Sequence, residues 1–263
     1  MMSARAISFF FLSVLLLLAG CAVNPVTGKR ELSLVSEAQE IQIGTENYAF
    51  MQQSGGGQYD VDPELTAYVQ GIGSKLSAVS DRSLPYEFVV LNSSVPNAWA
   101  LPGGKIAINR GLLTEMQSEA ELAAVLGHEI VHAAAKHSAR QMSRGMLLQV
   151  AVVGTAIVTS DSGYSDLAIG GASVGAQLIN QSYGRDAELE SDLYGMRYMS
   201  RAGYDPQGAV ELQETFVKLS EGRDTDWLTG LFASHPPSQS RVDANKQTAR
   251  TLPAGGEYGR ERY

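Results

Sequence analysis

The sequence predicts an α+β fold, mainly helical, with a small sheet of about three strands beside one alanine-rich helix. Three observations predict it. Helical spacing of apolar residues fills most of the stretch after Ser36, one block between Tyr86 and Asn109 changes to a strand pattern, and Ser, Asp, Gly and Pro signals punctuate the helical blocks. At 263 residues the chain can bury one sizeable core, and nothing in its length demands a second.

The first twenty residues read as a targeting segment. Arg5 precedes ISFFFLSVLLLLAG, an apolar run too short for a comfortable membrane span and suited to a signal-peptide core. The run ends Leu18-Ala19-Gly20-Cys21, which is similar to the lipobox of bacterial lipoproteins. Cys21 is the only cysteine, so it cannot form an internal disulfide, and its place at the cleavage point favours lipidation. Ala22 follows it rather than Asp. By resemblance to the sorting rule of Gram-negative lipoproteins, this implies the periplasmic face of the outer membrane. The expected organisation is a signal peptide over 1–20, a lipidated leader over 21–35, a catalytic domain over 36–252 and a flexible tail over 253–263.

Ser36 opens a capping box with Gln39, and helical spacing continues to about Gln53. Asp62-Pro63 starts a second helix, with Leu65, Val69, Ile72 and Leu76 on one face. The strands are YEFVVLN, NAWAL and KIAIN, the last two joined at Pro102-Gly103-Gly104. Ser118 to Glu121 forms another capping box, opening a helix expected to run to about Met142. Beyond it, MLLQVAVVGTAIV, 146–158, is apolar but short of a bilayer span, and it reads with DLAIGGASVGAQLI either as a buried helical hairpin or as an interfacial segment or lid. Further helices follow Asp186 and Asp205-Pro206. The formal charge of −8 comes with no basic stripe, which excludes a nucleic-acid partner on electrostatic grounds.

Residues 127–137, GHEIVHAAAKH, hold three of the four histidines. On a helix, His128 and His132 project from one face on successive turns and can grip one cation, with Glu129 beside them as a base for a metal-bound water. His137, five residues past His132, is off that register and reads as a packing or hydrogen-bonding histidine. A catalytic zinc site wants a third protein ligand. In RDAELESD, Glu188 and Asp192 share a helix face while Glu190 is rotated away, so Glu188 can reach a metal and Asp192 can orient a ligand histidine. An ordinary acidic, solvated helix has the same spacing.

The motifs NPVTGKREL, NAWALPGGKIAINRGLL, HEIVHAAAKH, ELESD and SHPPSQSRV occur in this order over most of the mature chain. Together they resemble the HExxH zinc metalloprotease family of HtpX, the CAAX prenyl proteases and the OMA-type proteases, closest to the periplasmic BepA and LoiP-like lipoproteins. The resemblance implies a zincin-type domain with one zinc ion (Zn2+) per chain, Glu188 as third ligand and Asp192 in support. It also implies a role for His235, which in some relatives approaches the zinc and in others stabilises the transition state. The sequence does not choose between these. Arg241 either holds the His235 loop or stabilises developing negative charge; an exposed structural arginine is the commoner case. Asn97, Ala98, Trp99, Ala100 and Leu101 fit an edge strand that pairs with an extended substrate, or a plain core strand.

The function expected is that of a lipid-anchored periplasmic zinc endopeptidase cleaving unfolded or misassembled envelope polypeptides. The alternative is a chaperone or assembly factor for outer-membrane proteins with restrained protease activity. A zinc hydrolase of non-peptide substrates fits the strand edge less well.

Overall fold

A computed structural model describes residues 21–159, 182–221, 229–261 and 263. The predicted signal peptide and the glycine-rich arm at 166–179 lie outside the described residues. Among those described, nine helices surround a three-stranded sheet, with a separate two-stranded hairpin at the start.

The hairpin pairs β1, Cys21–Val23, antiparallel with β2, Arg30–Leu32. Asn24 makes its turn, with Oδ1 accepting from the Val26 and Thr27 amides at 2.9 and 3.3 Å. The predicted leader is therefore folded onto the domain, with Val26 buried in the main core. Helix α1, Glu37–Ser54, begins at the predicted capping box, and α2, Pro63–Ser77, at Asp62.

The sheet contains β3, Glu87–Leu91, β4, Ala98–Leu101, and β5, Lys105–Asn109. Its order is β3-β5-β4, with β3 parallel and β4 antiparallel to β5. The β4–β5 turn packs tightly on α1: Gly103 has φ +78, and a Cβ there would lie 2.6 Å from the Ile41 Cα. One sheet face, through Val90, Ala98, Ala100, Ile106 and Ile108, joins the main core. On the other, Tyr48 of α1 meets Trp99 edge-on at 6.1 Å. Trp99 and Leu101 thus share the face away from the core, as strand alternation requires.

After the short α3, Arg110–Leu113, comes α4, Glu119–Ala134, whose 16 residues are all buried. Ser118 caps it, while Glu121 reaches back to the Gln117 amide instead of closing the expected box on Ser118. The helix does not continue to Met142. It stops at Ala135, and Lys136 takes a left-handed φ of 61 before α5, His137–Thr159, begins. Arg82 secures the end of α4 by donating to the Ala133 carbonyl at 3.1 Å, and Glu40 pairs with both Arg82 and Lys136, at 2.9 and 3.0 Å. Met146, Leu147 and Leu148 of α5 are exposed, which corrects the buried-hairpin expectation for that part of the apolar run. Among the described residues, no helix is long and apolar enough to cross a membrane.

Helices α6, Arg185–Arg201, α7, Gln207–Ser220, α8, Thr229–Ser234, and α9, Gln239–Ala249, complete the domain. The expected flexible tail is corrected too. Glu257 exchanges backbone hydrogen bonds with Asp205 and Gly203 at 3.1 and 2.8 Å, and the Tyr258 carbonyl accepts from the Ala120 amide at 3.1 Å, so these residues cover the start of α4.

Candidate metal centre

Helices α4 and α6 make the most extensive contact between elements, and two glycines allow it. A Cβ on Gly195 would lie 3.0 Å from the His128 amide nitrogen, and one on Gly127 3.1 Å from the Gly195 carbonyl oxygen. This crossing brings one turn of α6 over the two histidines of α4.

His128 and His132 converge, with their Nε2 atoms 2.9 Å apart. Glu188 lies 3.4 Å from each, through Oε2 to His128 and Oε1 to His132. His235, at the end of α8, brings Nδ1 to 3.3 Å from His128 Nε2 and 3.2 Å from Glu188 Oε1. All four residues are buried, and one ligand atom from each lies within 4.8 Å of the others. A tetrahedral cation with ligand bonds of about 2.0–2.1 Å sets its ligand atoms roughly 3.3–3.4 Å apart, so the spacing fits a metal ion.

The hydrogen bonds behind the ligand atoms fit as well. Asp192 Oδ1 holds His128 Nδ1 at 2.9 Å, which leaves the Nε2 lone pair of the neutral ring facing inward. His137 Nε2 faces Glu190 Oε1 at 3.2 Å and its Nδ1 faces His132 Nδ1 at 2.8 Å. A proton donated to Glu190 leaves His137 Nδ1 as acceptor, so His132 donates from Nδ1 and also turns a lone pair inward. Two such lone pairs at 2.9 Å repel unless a cation or a proton lies with them. Burial works against charging His128, but Glu188 and Asp192 override it and raise its pKa to about 10. A metal ion must displace that proton. Burial holds His132 well below the usual imidazole value.

Glu129 stands beside this group, 2 % exposed. Its Oε1 is 3.4 Å from His235 Nε2, and its Oε2 is buried with no hydrogen-bond partner. Burial pushes its pKa up, against the opposing charges of His235 and His128. An orphaned carboxylate oxygen at the rim of a ligand group is poised to accept a proton from something bound there.

Arg241 is buried, not a surface arginine. Its Nε and Nη2 each donate to Asp192 at 2.7 Å, its Nη1 lies 2.8 Å from Glu188 Oε2, and Nη1 also donates to the Pro236 carbonyl at 3.2 Å. It thus ties the His235 turn to α6. Burial opposes ionisation of Asp192, but Arg241 overrides it and holds that carboxyl below its ordinary range.

β4 is an edge of its sheet. The Asn109 amide donates to the Asn97 carbonyl at 2.9 Å, and this alternation aims the main-chain groups of Ala98 and Ala100 away from β5, toward the open edge. Ala98 lines one cavity with His128, Glu129 and His235, and the Asn97 Oδ1 is buried without a partner.

Sequence reading passed over Tyr183, whose ring stacks on His132 with centroids 3.8 Å apart, and Asn24, whose side chain donates to Glu190 at 3.0 Å. Neither spacing nor residue type signals Tyr183. Asn24 sits in NPVTGKREL, which carried the resemblance but no assigned role.

The family described as Peptidase family M48 matches residues 63–249, which contain every ligand atom described above. The chain is 30% identical over 199 residues to a putative beta-barrel assembly-enhancing protease of Vibrio cholerae, covering 73% of this chain and 40% of that protein. It is 28% identical over 236 residues to the beta-barrel assembly-enhancing protease of Escherichia coli (strain K12), covering 87% and 48%. It is 32% identical over 225 residues to the mitochondrial metalloendopeptidase OMA1 of Schizosaccharomyces pombe, covering 83% and 63%. The chain spans about half the length of the bacterial relatives it matches.

Proposed function

Because the chain belongs to peptidase family M48, we propose that it is a zinc-dependent endopeptidase acting on unfolded or misassembled envelope polypeptides. The observation that carries this reading is the buried group of His128, His132 and Glu188 with the unpartnered Glu129 oxygen beside it. In this reading those three residues are the protein ligands of one zinc ion. Zinc bound there supplies a Lewis acid that polarises a peptide carbonyl and lowers the pKa of a water.

The rest is done by the chain's own groups. Glu129 Oε2 takes the proton of the attacking water and passes it to the nitrogen that leaves, a task suited to a carboxylate whose pKa burial has raised. Ala98 and Ala100 present main-chain donors and acceptors to an extended polypeptide, which aligns the scissile bond while reading little of its sequence. Asp192 orients His128. Arg241, with its nitrogens engaged by Asp192, Glu188 and Pro236, holds the His235 turn in place.

His235 restrains the enzyme. Its Nδ1 lies among the ligand atoms, where an imidazole fills the position that water and substrate need, so substrate must displace the α8–α9 turn. The same contact favours the second reading, an assembly factor for outer-membrane proteins that cuts rarely, and the bacterial relatives are named beta-barrel assembly-enhancing proteases. Cys21, closing a lipobox-like stretch, is the proposed lipid anchor to the periplasmic face of the outer membrane.

The deciding experiment compares cleavage of casein and an unfolded outer-membrane protein by the purified protein and its Glu129→Gln variant, with metal content measured on both. Glu129→Gln retains its metal and loses at least about 100-fold in turnover, the lower end of what general-base removal costs. Equal cutting by the two proteins would refute Glu129 as the base, and an absence of cutting by the metal-loaded wild type would refute the endopeptidase.

A further inference from the structure

The two histidines of α4 are held from behind by different means, and the second arrangement lies partly outside the segment that matches the family. His132 Nδ1 meets His137 Nδ1 at 2.8 Å. His137 is available there only because α4 breaks at Lys136: the left-handed residue turns the chain so that the first residue of α5 lies over the last turn of α4. His137 Nε2 then faces Glu190 Oε1 at 3.2 Å. Glu190 in turn accepts from Asn24 Nδ2 at 3.0 Å, and Asn24 Nδ2 also donates to Glu31 Oε2 at 3.0 Å. His137 is 3 % exposed and Asn24 2 %, while Glu190 is half-buried.

The direction of the relay follows from its ends. A carboxylate at Glu190 accepts only, so it takes the Nε2–H of neutral His137, whose Nδ1 must then accept from His132. The outcome is one tautomer of His132, with Nε2 unprotonated and aimed at Glu188, 3.4 Å away. Resting on the reading of His132 as a metal ligand, we propose that His137 and Glu190 are positioning residues that fix its tautomer and ring, and that Asn24 makes the N-terminal hairpin part of the metal centre. A helix carboxylate two residues from Glu188, rotated off the ligand face, thereby serves the second histidine through an intermediary, as Asp192 serves the first directly.

The test is a metal titration on the full chain with its hairpin intact. Zinc affinity is measured by competition with a chelating dye, and cobalt is bound in its place so that its visible absorption reports ligand geometry. His137→Ala is expected to bind zinc about 10- to 100-fold more weakly, the range typical of lost partners behind metal-bound histidines, with altered cobalt bands. His137→Gln, which carries one acceptor and one donor, is expected to recover most of the affinity. His137→Leu, which fills similar space without a polar atom, is expected to stay as weak as His137→Ala, whereas a residue that merely fills space would let it recover. Glu190→Gln keeps the volume and removes the demand for a donor, and serves equally if His137→Ala does not fold; it and Asn24→Ala are expected to lose affinity by smaller factors. If wild-type protein binds zinc and His132→Ala does not, while Glu190→Gln and His137→Ala match wild type in affinity and cobalt spectrum, the relay is refuted and the metal centre stands. If wild type itself binds neither metal, the centre falls, and the relay with it.

Discussion

The supports of His128 and His132 differ in charge, in burial and in the part of the chain that supplies them. Behind His128 stand Asp192 of α6 and Arg241 of α9, an ion pair of 7 and 3 % exposure. Behind His132 stands a relay of uncharged donors, His137 and Asn24, around one half-buried carboxylate, and its outer end lies in the first dozen described residues. The difference shows how a low-dielectric site is made. A buried carboxylate next to a ligand is tolerable only with a cation fixed on it, which demands bidentate geometry and a rigid neighbour. A neutral imidazole needs only a hydrogen-bond direction, and a polar turn packed on the domain can supply that.

The sharpest way to break this contrast is Arg241→Ala. It strips the cation from two buried carboxylates, Asp192 and Glu188, and is expected to cost about 3–5 kcal/mol of stability, the range for removing one partner of a buried pair. Urea unfolding of the metal-free protein measures it; a loss under about 1 kcal/mol would mean that the charged arm carries no more than the neutral one. Gly195→Ala tests what both arms share. Its Cβ would press on the His128 backbone at 3.0 Å, pushing α6 off α4, with an expected cost of about 1–3 kcal/mol and weaker metal binding. Wild-type stability and affinity would show that the crossing has slack. The mildest change is Glu31→Gln, at the rim of the neutral arm, where Glu31 pairs with Arg140 and accepts from Asn24. It is expected to lose about 0.5 kcal/mol and to leave metal affinity within about twofold. A larger effect on affinity would extend the relay to the surface.

These arms were not equally legible in the sequence. Local rules revealed what local rules cause: the capping box at Ser36, Asp62-Pro63, the β4–β5 turn, and the facing of Glu188 and Asp192 on one helix side. The break at Lys136 left no such mark, because HAAAKHSARQM keeps helical composition throughout, and the stop is imposed by Arg82 and Glu40 from distant elements. For the same reason the spacing marks His137 only as off the ligand register, and nothing local marks its place behind His132. The insertion of β5 between β3 and β4 was likewise invisible, since alternation reveals strands but not their order. The docking of the tail leaves no local mark, because glycine and charge suggest disorder wherever no partner is known, and its partners, Gly203 and Asp205, lie fifty residues upstream.

The position of Arg241 also bears on how the molecule is made. His128, Glu129 and His132 are in place on the growing polypeptide long before Arg241 emerges, and until it does, Glu188 and Asp192 cannot both be buried as ions without a counter-charge. The candidate metal centre therefore closes last, when nearly the whole matched segment has been synthesised. A product truncated ahead of α9 carries the full HExxH helix yet lacks the ion pair that lets α6 settle on it, so an incomplete copy is expected to leave the metal centre unassembled.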